Sequence, residues 1–359
     1  MVDTRIIKQA DIVVNHCLKV KKGERVIISS DFEGKPLALE VYTLLIKEGV
    51  LEVRLKFDSY EFTKAYFNNA SNRQLNHFPK IEDYEIKNID CCLRISASSN
   101  TRALSTVDAK KISKRSRVTL PLANYRVEKT RWVITKYPTE AQAQEADMSL
   151  SEYEDFVFGA INNVDWRKME VEQEVIKKLL DRTDKVKIIG KDTDLTLSVK
   201  GRRAENCAGR FNMPDGEIFT SVLENSADGY ISYSFPALFM GREFHNVRLE
   251  FKKGKVIKAS ADKNEADLNE IIDTDRGARF VGELGIGNNF AINRFTKDIL
   301  FDEKIGGTIH LALGKGYKTT LSKNNSAIHW DMIKDLRHNG QLWFDNRLVQ
   351  KNGKWLINT

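Results

Sequence analysis

Apolar and polar positions along this chain repeat with two different periods, and the change falls near residue 183. In residues 3–20, Ile6, Ile7, Ala10, Val13, Val14, Cys17 and Leu18 recur at intervals of three and four, which predicts a helix. The short apolar run "RVIISS" (25–30) predicts a strand. Pro36 and Gly49 bracket "PLALEVYTLLIKEG", with proline at the start and glycine at the end, as helix termini prefer. "LEVRLKF" (51–57) alternates like a strand. A helical stretch around 60–78, a strand at 90–97, the strand "RWVITKYP" and helices from 139 to about 181 continue the pattern. Strand–helix alternation of this kind predicts an α/β domain with a mostly parallel sheet.

From 183 onward the strands crowd together: "DKVKIIG", "DLTLSVKG", "YISYSF" and "NVRLEFKKGKVIKASAD". "KKGK" (252–255) and "KNGK" (351–354) are hairpin turns between alternating segments, and one helix, "NEADLNEIIDTD", interrupts the strands. The expectation is an α/β N-terminal domain over residues 1–182 and a strand-rich α+β C-terminal domain over 183–359. No Pro/Gly/Ser linker marks the junction, and no internal repeat is visible.

Two of the late strands alternate in a way that burial alone does not require. In "SAIHWDM" (326–332), Ile328, Trp330 and Met332 share one face while His329 and Asp331 share the other. In "GTIHLALGKGY", Ile309, Leu311 and Leu313 share one face, and His310, Ala312 and Gly314 the other, where the small residues leave room above the imidazole. A single strand histidine reads as a satisfied structural residue, but two strands with the same plan, one adding a carboxylate two residues on, read equally well as a ligand face. Carboxylates from elsewhere would complete it. Glu217 in "NMPDGEIFT", Glu283 in "GARFVGELGIGNN" and Glu303 in "FDEKIGGT" each lie beside glycine and an apolar run, unlike the lysine-interspersed surface glutamates. Each alone is also compatible with a solvent-exposed turn.

Length and composition narrow the classes. At 359 residues the chain accommodates two domains, at roughly 150 residues each. Hydrophobic content of 41% and charged content of 30% are those of a globular protein. No run approaches the 18 or so apolar residues of a membrane span, and the first residues lack the plan of a secretory signal. The expected location is the cytoplasm. Four cysteines, Cys17, Cys91, Cys92 and Cys207, show no C-x-x-C spacing and read as buried reduced thiols. The net charge of +7 comes from 57 basic against 50 acidic residues, interspersed. The densest basic run, "KKISKRSR" (110–117), has no interleaved aromatics, so neither nucleic acid nor membrane is expected as a partner. H-E-x-x-H, a phosphate loop, a dinucleotide fingerprint and G-x-S-x-G are all absent.

Taken in order, "NMPDGEIFT", "GARFVGELGIGNN", "LFDEKIGGTIHLALGKGY" and "NSAIHWDM" resemble the metallo-aminopeptidase family that includes aminopeptidases T and S. "DTDLTLSVKGR" (192–202) fits well, and "CLKVKKGERVIISS" with the Pro36 helix fits loosely. The resemblance implies two divalent metal ions per chain in the C-terminal domain, held by Glu217, Glu283, Glu303, His310, His329 and Asp331, with Glu283 shared between them. It implies a peptide substrate with a free N-terminus, and a homodimer whose N-terminal domains restrict access. Oxygen and nitrogen donors without sulfur suit zinc, cobalt or manganese. For proton transfer the expectation is Glu303 or the shared Glu283. Tyr317 is then a metal ligand, an oxyanion donor or simply a core tyrosine. His338, in "DLRHNG", lies outside the expected site. The alternative is a non-catalytic relative of the same fold that binds metal or peptide without turning it over.

Overall fold

The computed structural model describes residues 3–357. It comprises two compact units, one of residues 1–163 with 209–214, the other of 164–208 with 215–359.

The first unit is built on a five-stranded parallel sheet. Its strands run in the order Glu52–Asp58, Arg25–Asp31, Cys91–Ser96, Arg131–Lys136 and Asn212–Met213. The predicted α/β class is what the chain adopts. The helix expected from residue 3 begins at Thr4, where the Asp3 carboxylate accepts a hydrogen bond from the Arg5 amide at 2.8 Å. It continues as a π-helical turn over Ile12–Cys17. The Pro36 helix spans Lys35–Lys47 and gives way to Gly49, which sits at φ +76°. The basic run at 110–117 falls within a 21-residue helix, Ala109–Lys129, that the apolar pattern did not reveal. Part of its charge meets carbonyls of the preceding segments: Lys111 donates to Phe67 O, in the last turn of the helix Tyr60–Asn69, at 2.7 Å, and Arg115 to His77 O, just past the helix Asn72–Leu75.

The division between units differs from the expected 182 in two respects. The helix Trp166–Leu180 belongs to the second unit, because Ile176 and Leu180 join that unit's core. Residues 209–214 belong to the first, where Asn212–Met213 pairs with Ile134–Thr135 as the fifth parallel strand. Two residues are too few to carry a period, so no pattern announced this strand.

The second unit is strand-rich and antiparallel, as expected. An eight-stranded sheet has the order Lys255–Ser260, Arg248–Lys252, Asp228–Ser232, Thr193–Ser198, Lys185–Gly190, Gln341–Phe344, Arg347–Lys351, Lys354–Trp355. Both predicted hairpins form, with Lys253 and Gly254, and Asn352 and Gly353, at positive φ. A five-stranded sheet has the order His329–Asp335, Thr308–Gly314, Val281–Gly287, Glu217–Thr220, Ala204–Cys207. One core joins the two sheets. Ile188, Leu195, Leu197, Ile231 and Leu249 come from the larger, and Ile218, Leu284, Ile286, Ile309, Leu311, Leu313, Trp330 and Met332 from the smaller. Each such burial contributes roughly 1.5–3 kcal/mol, and together they lock the register of the smaller sheet. A slip of one residue would turn Leu311 out and His310 in. No helix among the described residues is long and apolar enough to cross a membrane.

Candidate metal centre

Strand alternation puts everything not used by that core on the opposite face of the five-stranded sheet. Asp331, Ala312 and Glu283 lie in one row across three neighbouring strands, so a methyl group is all that separates two carboxylate-bearing positions. His310 and Gly285 are paired in the next row, and Glu217 pairs with Gly287 on one side and Cys207 on the other. Glu303 enters from the end of the short helix Ile299–Asp302, ahead of the His310 strand.

The residues singled out from the sequence converge here. His310 Nε2 stands 3.3 Å from Glu283 Oε1 and 3.6 Å from Glu217 Oε2. His329 Nε2 stands 3.3 Å from Asp331 Oδ2. Donor atoms of Glu217, Glu303 and His310 lie within 4.8 Å of one another, as do those of Glu283, His310 and Asp331. Tyr317, 49% exposed, packs its ring against Phe219 and edge-on to His329, with centroids 5.5 and 5.4 Å away. His338 is exposed in the turn beyond the far end of the His329 strand, outside this cluster.

Both imidazoles are oriented from behind. His310 Nδ1 donates to the carbonyl of Glu303 at 3.2 Å, and His329 Nδ1 to that of Lys315 at 2.6 Å. Anchoring Nδ1–H in this way leaves Nε2 as the atom presented to the carboxylates, the arrangement in which imidazole ligates a metal. Meanwhile Glu217 Oε2, Glu283 Oε2 and Asp331 Oδ1 are buried without a hydrogen-bond partner. Unpaired buried oxygens of this kind are costly, and a divalent cation would satisfy them together. The donor set therefore fits hard-to-borderline divalent metal.

The electrostatics agree. Burial pulls His310 down, but its hydrogen bond to Glu283 and the charge of Glu217 overcome this and hold it up at about 9. His329 is held at about 10, with burial again outweighed by Asp331. Burial raises Glu217 to about 8 against the pull of Lys304, and raises Glu283 as well. Asp331 is lowered: burial opposes ionisation, but the bond to His329 prevails. Raised imidazoles and raised carboxylates in one buried cluster mean that protons offset its negative charge, and a divalent metal is the natural replacement for them.

Two essential parts were not foreseen. Gly285 is a clearance: a Cβ there would lie 2.0 Å from His310 Cε1 and Nε2, so only glycine leaves room for the fully buried ring. The register opposite His310 was the missing information, and it becomes available only once the strands are paired. Lys304 is fully buried, donates to Glu303 Oε1 and lies 3.7 Å from Glu217 Oε1. Cys207 also borders the site, its sulfur within 4.8 Å of oxygens of Asp215 and Glu217. Burial, reinforced by those carboxylates, raises this thiol well above its ordinary value, so it stays protonated.

Fold and donor set together define a metalloprotein class, an α/β unit combined with a β-rich unit that bears an acidic and imidazole ligand face. The chain belongs to the thermophilic metalloprotease (M29) family, whose model matches residues 2–355. It is 24% identical to aminopeptidase 2 of Geobacillus stearothermophilus over 355 residues, covering 89% of this chain and 85% of the relative. It is 27% identical to aminopeptidase T of Thermus aquaticus over 199 residues, 47% of this chain and 48% of that one. Among solved structures, wild-type AmpT from Thermus thermophilus superposes with a TM-score of 0.86 at 20% identity, covering 99% of both chains. A 2,5-dihydroxypyridine dioxygenase from Pseudomonas putida KT2440 shares the fold less closely, with a TM-score of 0.63 at 11% identity, covering 98% of this chain and 97% of the other. The family implies a divalent metal; the dioxygenase shows that the fold alone does not dictate the reaction.

Proposed function

We propose that this protein is a metal-dependent aminopeptidase that removes N-terminal residues from peptides. The observation that carries the reading is the pair of imidazoles anchored at Nδ1 beside Glu217, Glu283 and Asp331, each of which has one buried oxygen without a hydrogen bond. Glu217, Glu283, Glu303, His310, His329 and Asp331 would hold two divalent ions, with Glu283 between them, and zinc, cobalt or manganese suits the donors. When bound, such ions supply a water activated near neutral pH and polarise the scissile carbonyl.

The chain's own residues do the rest. The carbonyls of Glu303 and Lys315 fix the two imidazoles in the ligating tautomer. Glu303 or Glu283 takes the proton from the attacking water and passes it to the departing amine. Tyr317 sits at the edge of the cluster. Partial burial of this half-exposed side chain, with the charges of Glu283 and Asp331, raises its phenol, so it remains protonated and donates a hydrogen bond to the developing oxyanion. The N-terminal unit is assigned to assembly and access in a homodimer, for which light scattering of the purified chain should give twice the chain mass.

The decisive experiment is mass spectrometry of a peptide mixture incubated with the protein, with and without chelator and with added cobalt or zinc. Stepwise loss of N-terminal residues, abolished by chelator and restored by metal, is expected. No cleavage by folded protein under any metal would leave a binding-only relative of the family.

A further inference from the structure

Lys304 is an unusual occupant of an acidic metal site. Its side chain has no exposure, and its ammonium contacts two of the six candidate ligands, Glu303 and Glu217. Asp215, itself buried, adds to the negative field around it. Burying an ammonium is unfavourable unless carboxylates surround it, and here they do.

The geometry of Glu217 shows how the charge is apportioned. Oε1 faces Lys304 Nζ at 3.7 Å, while Oε2 faces His310 Nε2 at 3.6 Å. One carboxylate thus stands between an internal cation and the imidazole side. The polar face holds three overlapping donor groups: Cys207–Asp215–Glu217, Glu217–Glu303–His310 and Glu283–His310–Asp331. Lys304 contacts Glu217, common to the first two groups, and Glu303 of the second, and its charge also helps to hold Asp331 of the third ionised.

We propose that Lys304 is a built-in cation that competes with divalent metal for Glu217 and Glu303, so that the face holds fewer ions than its carboxylates could. The inference rests on the metal-binding reading of the site given above. It predicts that removing the charge, while keeping the side chain's bulk, leaves negative charge on Glu217 and Glu303 that a further divalent ion can take up.

The test uses the full chain and the variants K304M and K304R. Thermal unfolding is followed after chelation and after loading with cobalt, and bound cobalt per chain is measured after gel filtration. K304M should show a wider gap in unfolding temperature between loaded and chelated protein, by about 5 °C or more, because metal replaces the lost charge only in the loaded state. It should also bind more cobalt per chain than the parent. K304R should keep the parental gap and stoichiometry. Unfolding of K304M in chelator with rescue by cobalt is the extreme form of the expected result. An equal drop in both conditions, with the gap and cobalt content unchanged, would mean that Lys304 only fills space, and would overturn the proposal. So would a narrower gap, less cobalt, or a K304M chain that cobalt cannot fold. A parental protein with no gap and no bound cobalt would instead bring down the metal reading itself.

Discussion

Replacing Gly285 by alanine isolates one structural requirement of the site. Gly285 does not adopt a positive φ, so alanine suits the strand backbone itself; the added methyl is the whole perturbation. It would stand 2.0 Å from Cε1 and Nε2 of His310 and 2.8 Å from Nδ1, where ordinary contact begins at 3.4 Å. One side must therefore yield by about 1.4 Å, on the ordinary carbon contact distance. The ring has nowhere to retreat, because it is fully buried and its Nδ1 is bonded to Glu303 O. Overpacking of this kind costs about 1–3 kcal/mol, which the protein should survive as a lower unfolding temperature. A ligand displaced by an ångström is a different matter, since metal–nitrogen distances tolerate only about 0.2 Å. The expected result is a folded chain that loses metal on dialysis, with peptidase activity reduced by about 100-fold or more. Metal analysis, circular dichroism and aminopeptidase assay of Gly285→Ala read these three quantities separately. Unchanged metal content and activity would refute the placement of His310 as a ligand.

Other substitutions probe the surroundings. Glu283→Gln should remove most of the metal and nearly all activity while the chain stays folded; full activity would exclude its role as the shared ligand. His338→Ala should be silent in metal content and rate, and a large metal loss there would show that the site extends further than drawn. Asp275 accepts hydrogen bonds from the amides of Gly277, Ala278 and Ala327 and from Ser326 Oγ, tying down the segment that leads into His329. Asp275→Ala should cost about 1–3 kcal/mol, measurable by denaturant titration. The Ala327 amide and these other donors hold that carboxyl below its ordinary 3.8. Its contribution is therefore present above pH 3.8 and lost as pH falls through the lower folded-state value. The stability difference between parent and variant should shrink in acid, and a difference that grows there would contradict the assignment.

The two-face plan of the 308–314 and 329–335 strands was legible because period-2 alternation is local: each strand declares its own faces. The carboxylates were recoverable from their glycine-rich contexts and from motif order. What escaped was information held between strands. Gly285 matters only because it lies opposite His310, and Lys304 only because the chain folds its ammonium back onto Glu217. The helix Ala109–Lys129 escaped for another reason, since its apolar stripe is diluted by charge and interrupted by Pro121. The position of the unit boundary was hidden by the helix Trp166–Leu180, whose amphipathic pattern says that it packs but not on which neighbour.

The excursion of residues 209–214 has a consequence for any attempt to divide the molecule. The chain leaves the second unit after Ala208, donates a strand to the first, and returns at Asp215, two residues before Glu217. A single proteolytic nick at 163/164 would thus not release two independent pieces. The larger fragment would still carry the fifth strand of the smaller one's sheet, hydrogen-bonded to Arg131–Lys136. A shortened fragment beginning at 164 would have that strand dangling beside Glu217, unpaired and exposed as an adhesive edge. Minimal versions of this enzyme should be made by redesigning 209–214 rather than by trimming an end.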